Sequence, residues 1–124
     1  MTSATIANEF RKLAEMYSLK TTGRIEGVQW QCHDFSMRGM SSVESAVMSG
    51  MGHLTCFTGT DTVPAIYILE EYYNAEGLIG ASVSASEHSV HCAGQKESEL
   101  QTFERLLNIF HEGILSVVSD TWNL

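Results

Sequence analysis

Ile6, Phe10, Leu13, Ala14 and Tyr17 recur at the three-and-four spacing of a helix face, and Lys20-Thr21-Thr22-Gly23 closes the run. The pattern predicts an amphipathic helix followed by a turn. From Gly27 to Phe35 the apolar residues Val28, Trp30, Cys32 and Phe35 come close to strand alternation, with the strand ending near His33. Ser41-Ser42-Val43-Glu44 reads as a capping box, and Val43, Ala46, Val47, Met51 and Leu54 continue at helical spacing. Leu54 to Phe57 reads as a short apolar strand. Gly59-Thr60-Asp61 then turns the chain, and Asp61 can cap a helix that tolerates Pro64 in its first turn and reaches Tyr73. Leu78 to Val83 is a third expected strand, and Ser84-Ala85-Ser86-Glu87 repeats the capping pattern. Leu100, Phe103, Leu107 and Phe110 mark one face of a last helix, Gly113 ends it, and Ile114 to Val118 is expected to be a buried strand.

Strands alternating with helices point to parallel βαβ units, an α/β fold built as a barrel or an open doubly wound sheet. Four strands are too few for an eight-stranded barrel. The last of them precedes Asn123 and Leu124 without a helix to cover it, so structural partners outside this sequence are expected. Residues 1–124 read as a single α/β segment, without internal repeats, low-complexity stretches or a linker.

A length of 124 residues with 44% hydrophobic side chains suits one domain with one core. Seven basic against fifteen acidic residues leave a formal charge of -8, which repels polyphosphate backbones and argues against nucleic acid as a partner. No stretch reaches the roughly 20 apolar residues of a membrane span, and Glu9, Arg11, Lys12 and Glu15 interrupt the N-terminal apolar positions, unlike a signal peptide. A cytosolic protein is the expectation. Cys32, Cys56 and Cys92 are odd in number and far apart, so reduced, mostly buried thiols are expected, with neither a disulfide framework nor a zinc site.

Ligands of parallel α/β folds bind at the carboxyl ends of strands, where loops and helix N-termini offer free amides. The polar clusters fall there: His33, Asp34, Phe35 and Arg38 after the first strand, Thr60 and Asp61 after the second, Ser84, Ser86, Glu87 and His88 after the third, Ser119 and Asp120 after the fourth. Arg38 is the one cation expected in a strand-to-helix connection. Each residue also has a plainer role. Asp61 can be only a helix cap, Arg38 a surface ion pair and Phe35 a core residue. His88 and His91 lie three apart on an expected helix, but no third metal ligand has matching spacing. His53 and His111 read as structural, and Met37, Met40, Met48 and Met51 as core filling.

The segment His33-Asp34-Phe35-Ser36-Met37-Arg38-Gly39-Met40-Ser41-Ser42-Val43-Glu44-Ser45-Ala46 resembles the HDF-x-x-RG-x-SS-x-E-x-A signature of nicotinamide phosphoribosyltransferases. Gly59 to Val63 resembles that family's GTDTV turn, Ser86 to Ser89 its A-E-H-S segment, and Ser116 to Asp120 its SVVSD strand end, all in family order. The resemblance implies part of a type II phosphoribosyltransferase α/β barrel, a pentosyltransferase of pyridine nucleotide salvage. It implies the reaction of nicotinamide with phosphoribosyl pyrophosphate to nicotinamide mononucleotide and pyrophosphate. In this likeness Phe35 stacks on the pyridine ring, Asp61 accepts the carboxamide N–H, Arg38 binds phosphate and Ser116 lies near the nicotinamide. His88 looks like the histidine phosphorylated when ATP hydrolysis is coupled to synthesis, and Asp120 like an acidic residue near the diphosphate and its magnesium. Mg2+ with the diphosphate and ATP as optional activator are thus the implied cofactors.

Members of that family are longer, so the resemblance also implies a homodimer or a complementing chain. An N-terminal part would contribute an aromatic residue across a dimer interface, and a C-terminal part would carry arginine and glycine-rich phosphate loops. Without them the isolated chain is expected not to turn over. The rival expectation is a non-enzymatic module, a remnant that folds and associates or binds nicotinamide weakly without turnover. Two local departures stand out: Ser86 replaces the usual alanine, and Trp122 stands where tyrosine is common.

Overall fold

The computed structural model describes residues 2–122 as helices with small parallel sheets, an α/β arrangement in two compact units, Met1–Ser82 and Val83–Leu124. In the first unit, α1 (Thr2–Thr22) ends where Gly23 adopts a positive φ of 71° and its amide returns to Leu19. β1 (His33–Asp34) pairs in parallel with β2 (Gly59–Thr60), and between them lies α2 (Val43–Leu54). α3 (Val63–Tyr73) follows with Pro64 in its first turn. The second unit holds β3 (Ser84–Ala85), α4 (His88–Ala93), α5 (Glu99–Ile109) and β4 (Leu115–Ser116), with β3 and β4 parallel.

The strands are shorter than the apolar runs suggest. Val28–Trp30 forms a 3-10 turn entered through Gly27 at φ 87°, so only His33 and Asp34 of the expected first strand are extended. Leu54 closes α2, and the Cys56 and Phe57 amides return to the His53 carbonyl, so the expected second strand is displaced to Gly59–Thr60. A short apolar run fits a buried helix end as well as a strand, and here Phe57 is buried against Val28 and Ala7. Of residues 78–83 only Ala81 bridges, to Gly59. The expected buried strand over 114–118 reduces to Leu115–Ser116, with Ile114 69% exposed.

Helix starts show a similar shift. Ser42 rather than Ser41 caps α2, accepting the Ser45 amide at 3.1 Å. The second capping pattern does not form: Glu87 precedes α4 without a side-chain cap bond. A break at Gly94 and Gln95 then separates α4 from α5, with Gln95 at φ 62°. Cys92 is exposed, while Cys32 and Cys56 are half-buried, so not all thiols are covered as expected. The expectation about Asn123 and Leu124 lies outside the described residues.

The buried apolar side chains are few and mostly small: Ala7, Val28, Ala46, Val47, Phe57, Ala65 and Leu106. Close helix contact depends on that smallness. A Cβ on Gly50 of α2 would come within 2.9 Å of the Ala65 Cβ on α3. By contrast Ile6, Phe10, Leu13 and Tyr17 of α1 are at least half exposed, a larger apolar face than a self-sufficient unit usually shows water. No helix among the described residues is long and apolar enough to cross a membrane.

Candidate functional site

In the first unit, three parallel segments end side by side. The Asp61 amide bonds to the Asp34 carbonyl at 2.9 Å, and the Thr60 amide to the Ala81 carbonyl at 2.9 Å. Asp34-Phe35, Asp61 and Ser82 therefore emerge at neighbouring carboxyl ends. Gly59 permits the approach, since a Cβ there would meet His33 Nδ1 at 2.8 Å and the Cys32 carbonyl at 2.9 Å. The carbonyl is backbone and cannot swing aside. Gly59→Ala is expected to cost about 1–3 kcal/mol by overpacking, read from denaturant unfolding of the variant against wild type. Equal stability would show that β1 and β2 can part freely.

At these ends Asp61 is gripped by side chains. Ser82 Oγ donates to Asp61 Oδ1 at 2.6 Å, and His33 Nε2 donates to the same oxygen at 2.9 Å. Partial burial pushes the Asp61 carboxyl up, but the Ser82 and His33 hydrogen bonds, with the charges of His33 and Arg38, hold it below the usual carboxylate range. It stays ionised at neutral pH while 36% of the side chain remains open to solvent. Asp61 is therefore not the helix cap. Thr62 occupies that position, without a side-chain cap bond.

Phe35 is 53% exposed and stacks on His33 at 4.5 Å between ring centres and 26° between planes. The core reading of Phe35 fails, because more than half of its surface is open to solvent. Arg38 stands exposed on the 3-10 turn Ser36–Gly39 between β1 and α2, where its charge reaches Asp61. Asp34 faces inward, buried, with the Ser36 amide 2.9 Å from Oδ1. Burial pushes its carboxyl up, and the Ser36 side chain and amide, the Thr62 hydroxyl and the His53 ring outweigh that and leave it low. His53 supports the β2 turn through the Gly59 carbonyl at 2.9 Å, the structural role expected of it.

The second unit carries His88, Ser116 and Asp120. His88 Nε2 lies 3.1 Å from Asp120 Oδ1, and both side chains are over 60% exposed. With the carboxylate accepting Nε2–H, the Nδ1 lone pair becomes the ring's nucleophilic atom. Ser116 sits on β4 with its side chain exposed and its carbonyl accepting the Ser86 amide at 2.9 Å. His91 turns inward to Ser86 and Phe103, so the two histidines of α4 serve different surroundings.

Two contributors escape the sequence pattern: Ser82, and the grip of His33 on Asp61. The only available signal for Ser82 was its place at the end of an expected strand.

Residues 30–123 match the nicotinate phosphoribosyltransferase (NAPRTase) family. The chain belongs to that family. Relatives named nicotinamide phosphoribosyltransferase are 54% identical in Acinetobacter baylyi, over 98% of this chain and 24% of the relative. They are 42% identical in Mycoplasma pneumoniae, over 99% and 25%, and 32% identical in Xanthomonas campestris pv. campestris, over 100% and 27%. The chain thus spans about a quarter of the length of these members of the NAPRTase family. The matched region includes β1, β2, β3 and β4, and with them the strand ends that carry Phe35, Arg38, Asp61, His88, Ser116 and Asp120.

Proposed function

We propose that this chain is a base-recognising and histidine-bearing part of a nicotinamide phosphoribosyltransferase, which forms nicotinamide mononucleotide and pyrophosphate from nicotinamide and phosphoribosyl pyrophosphate. The observation that carries the reading is the ionised Asp61, fixed by Ser82 and by His33, on which the exposed ring of Phe35 stacks. A neutral pyridine carboxamide wants an aromatic face and a fixed acceptor for its N–H, and both are present. The names of the relatives support the amide rather than the acid.

In this reading Arg38 binds phosphate through its planar guanidinium, and Ser116 is a further nicotinamide contact supported by the SVVSD resemblance. His88 accepts a phosphoryl group when ATP is used, with Asp120 orienting its ring. Asp120 would also lie near the diphosphate and its Mg2+, which would supply neutralisation of the charge developing on the leaving pyrophosphate. Exchange at the ribose anomeric carbon then needs positioning and leaving-group stabilisation more than a nucleophile. A homodimer or a complementing chain with further phosphate-binding loops, and a cytosolic location, belong to the same reading. The exposed apolar face of α1 supports a partner surface.

The test is product formation by the complete enzyme containing this segment, supplied with Mg2+, phosphoribosyl pyrophosphate and either base. Nicotinamide mononucleotide and pyrophosphate are expected from nicotinamide. Conversion of nicotinate alone, or of neither base, would remove the proposal.

A further inference from the structure

We infer that Ser86 and His91 are positioning residues, a buried clamp that sets the geometry of the exposed His88–Asp120 pair. The β3–β4 ladder delivers the Ser86 amide to the Ser116 carbonyl at 2.9 Å. In a regular parallel ladder the next rung would run from the Val118 amide to the Ser86 carbonyl. Here the chain leaves β3 to enter α4, and the Val118 amide bonds instead to Ser86 Oγ at 2.8 Å. The hydroxyl extends the pairing beyond the last strand residue. His91 Nε2 lies 3.0 Å from the same oxygen, its ring fully buried and tilted against Phe103 of α5 at 5.2 Å.

One hydroxyl therefore ties together the end of β3, the segment after β4 and the inner face of α4. A serine oxygen can accept the amide and exchange one further bond with an imidazole, so both bonds are chemically compatible. His88 follows Ser86 by two residues and Asp120 follows Val118 by two. Those two side chains are 62% and 63% exposed, and so exposed a hydrogen-bonded pair has little capacity to hold its own geometry. The spacing of the pair is inherited from the clamp beneath it. Alanine at position 86 would leave both the Val118 amide and His91 Nε2 without this partner.

The inference rests on reading His88 as a reactive imidazole, but its test observes the ring rather than turnover, so the two can fail separately. Nitrogen-15 spectra of the histidine rings are recorded on the complete enzyme, with the label confined to this segment, at about pH 8.5, where an ordinary imidazole is neutral. Wild type is expected to show His88 as one tautomer, protonated on Nε2. In Ser86→Ala the two ring nitrogen signals are expected to converge toward the averaged pattern of Asp120→Asn, while Ser86→Thr keeps the hydroxyl and the wild-type pattern. His91→Leu leaves Ser86 and Val118 in place, and is expected to give the same convergence if Ser86→Ala does not fold. An unchanged His88 pattern in the folded alanine or leucine variant, or a ring already averaged in wild type, overturns the inference.

Discussion

On the proposed base-recognising role of Asp61, Asp61→Asn is expected to narrow a preference of the complete enzyme for nicotinamide over nicotinate by about 1–3 kcal/mol, roughly 5- to 150-fold in relative kcat/KM. The wild-type carboxylate is held ionised by Ser82 and His33 and can only accept hydrogen bonds. Nicotinamide offers an N–H to such a group. Nicotinate offers a second carboxylate with no proton between them, so binding it means bringing like charges together in a partly desolvated place. Asparagine keeps the shape, removes the charge and brings an NH2 that can donate to the acid. Nicotinamide use should therefore weaken while nicotinate use gains. Direct competition between the two bases on both proteins measures the ratio. If it is the same in each, Asp61 has no part in choosing the base.

The second large effect is expected at His88. On the proposed reading, the Nδ1 lone pair of His88 would attack the γ-phosphorus of ATP, the N–P bond forming as the bond to the ADP oxygen breaks, and water would later release phosphate from the ring. His88→Ala has no atom to receive the phosphoryl group, so the whole of the ATP stimulation should vanish while part of the synthesis without ATP remains. Expelling pyrophosphate from ribose requires charge stabilisation, which an imidazole at this position is not needed to supply. Rates with and without ATP, with phosphohistidine measured in parallel, separate the two effects. ATP stimulation of wild-type size in the alanine variant would take His88 out of the mechanism.

Both effects depend on positions that local sequence could locate only in part. The helical spacing of Ile6, Phe10, Leu13 and Tyr17 and the stop at Gly23 were legible because they depend on residues within a turn or two of each other. The same holds for α3 ending at Tyr73 and for a serine cap before Val43, although the cap fell one residue later than the pattern suggested. The strands were less legible. Apolar runs such as Leu54–Phe57 and Ile114–Val118 satisfy a strand or the end of a helix equally well, and only long-range pairing decides which residues are extended.

The sequence alone therefore determined which side chains lie near strand ends: Phe35, Arg38, Asp61, His88 and Asp120 were all identifiable from motif and order. What each does there was a tertiary decision. Asp61 could have capped its own helix. It is drawn away because Ser82, 21 residues on, and His33, 28 residues back, reach its carboxylate once Ala81 and β1 flank β2. Ser86 likewise read as part of a capping box until Val118 and His91 met its hydroxyl. A short polar side chain has several partners of similar strength within reach, and local sequence cannot rank them. Folding ranks them by bringing distant donors within 3 Å and excluding the water that would otherwise compete.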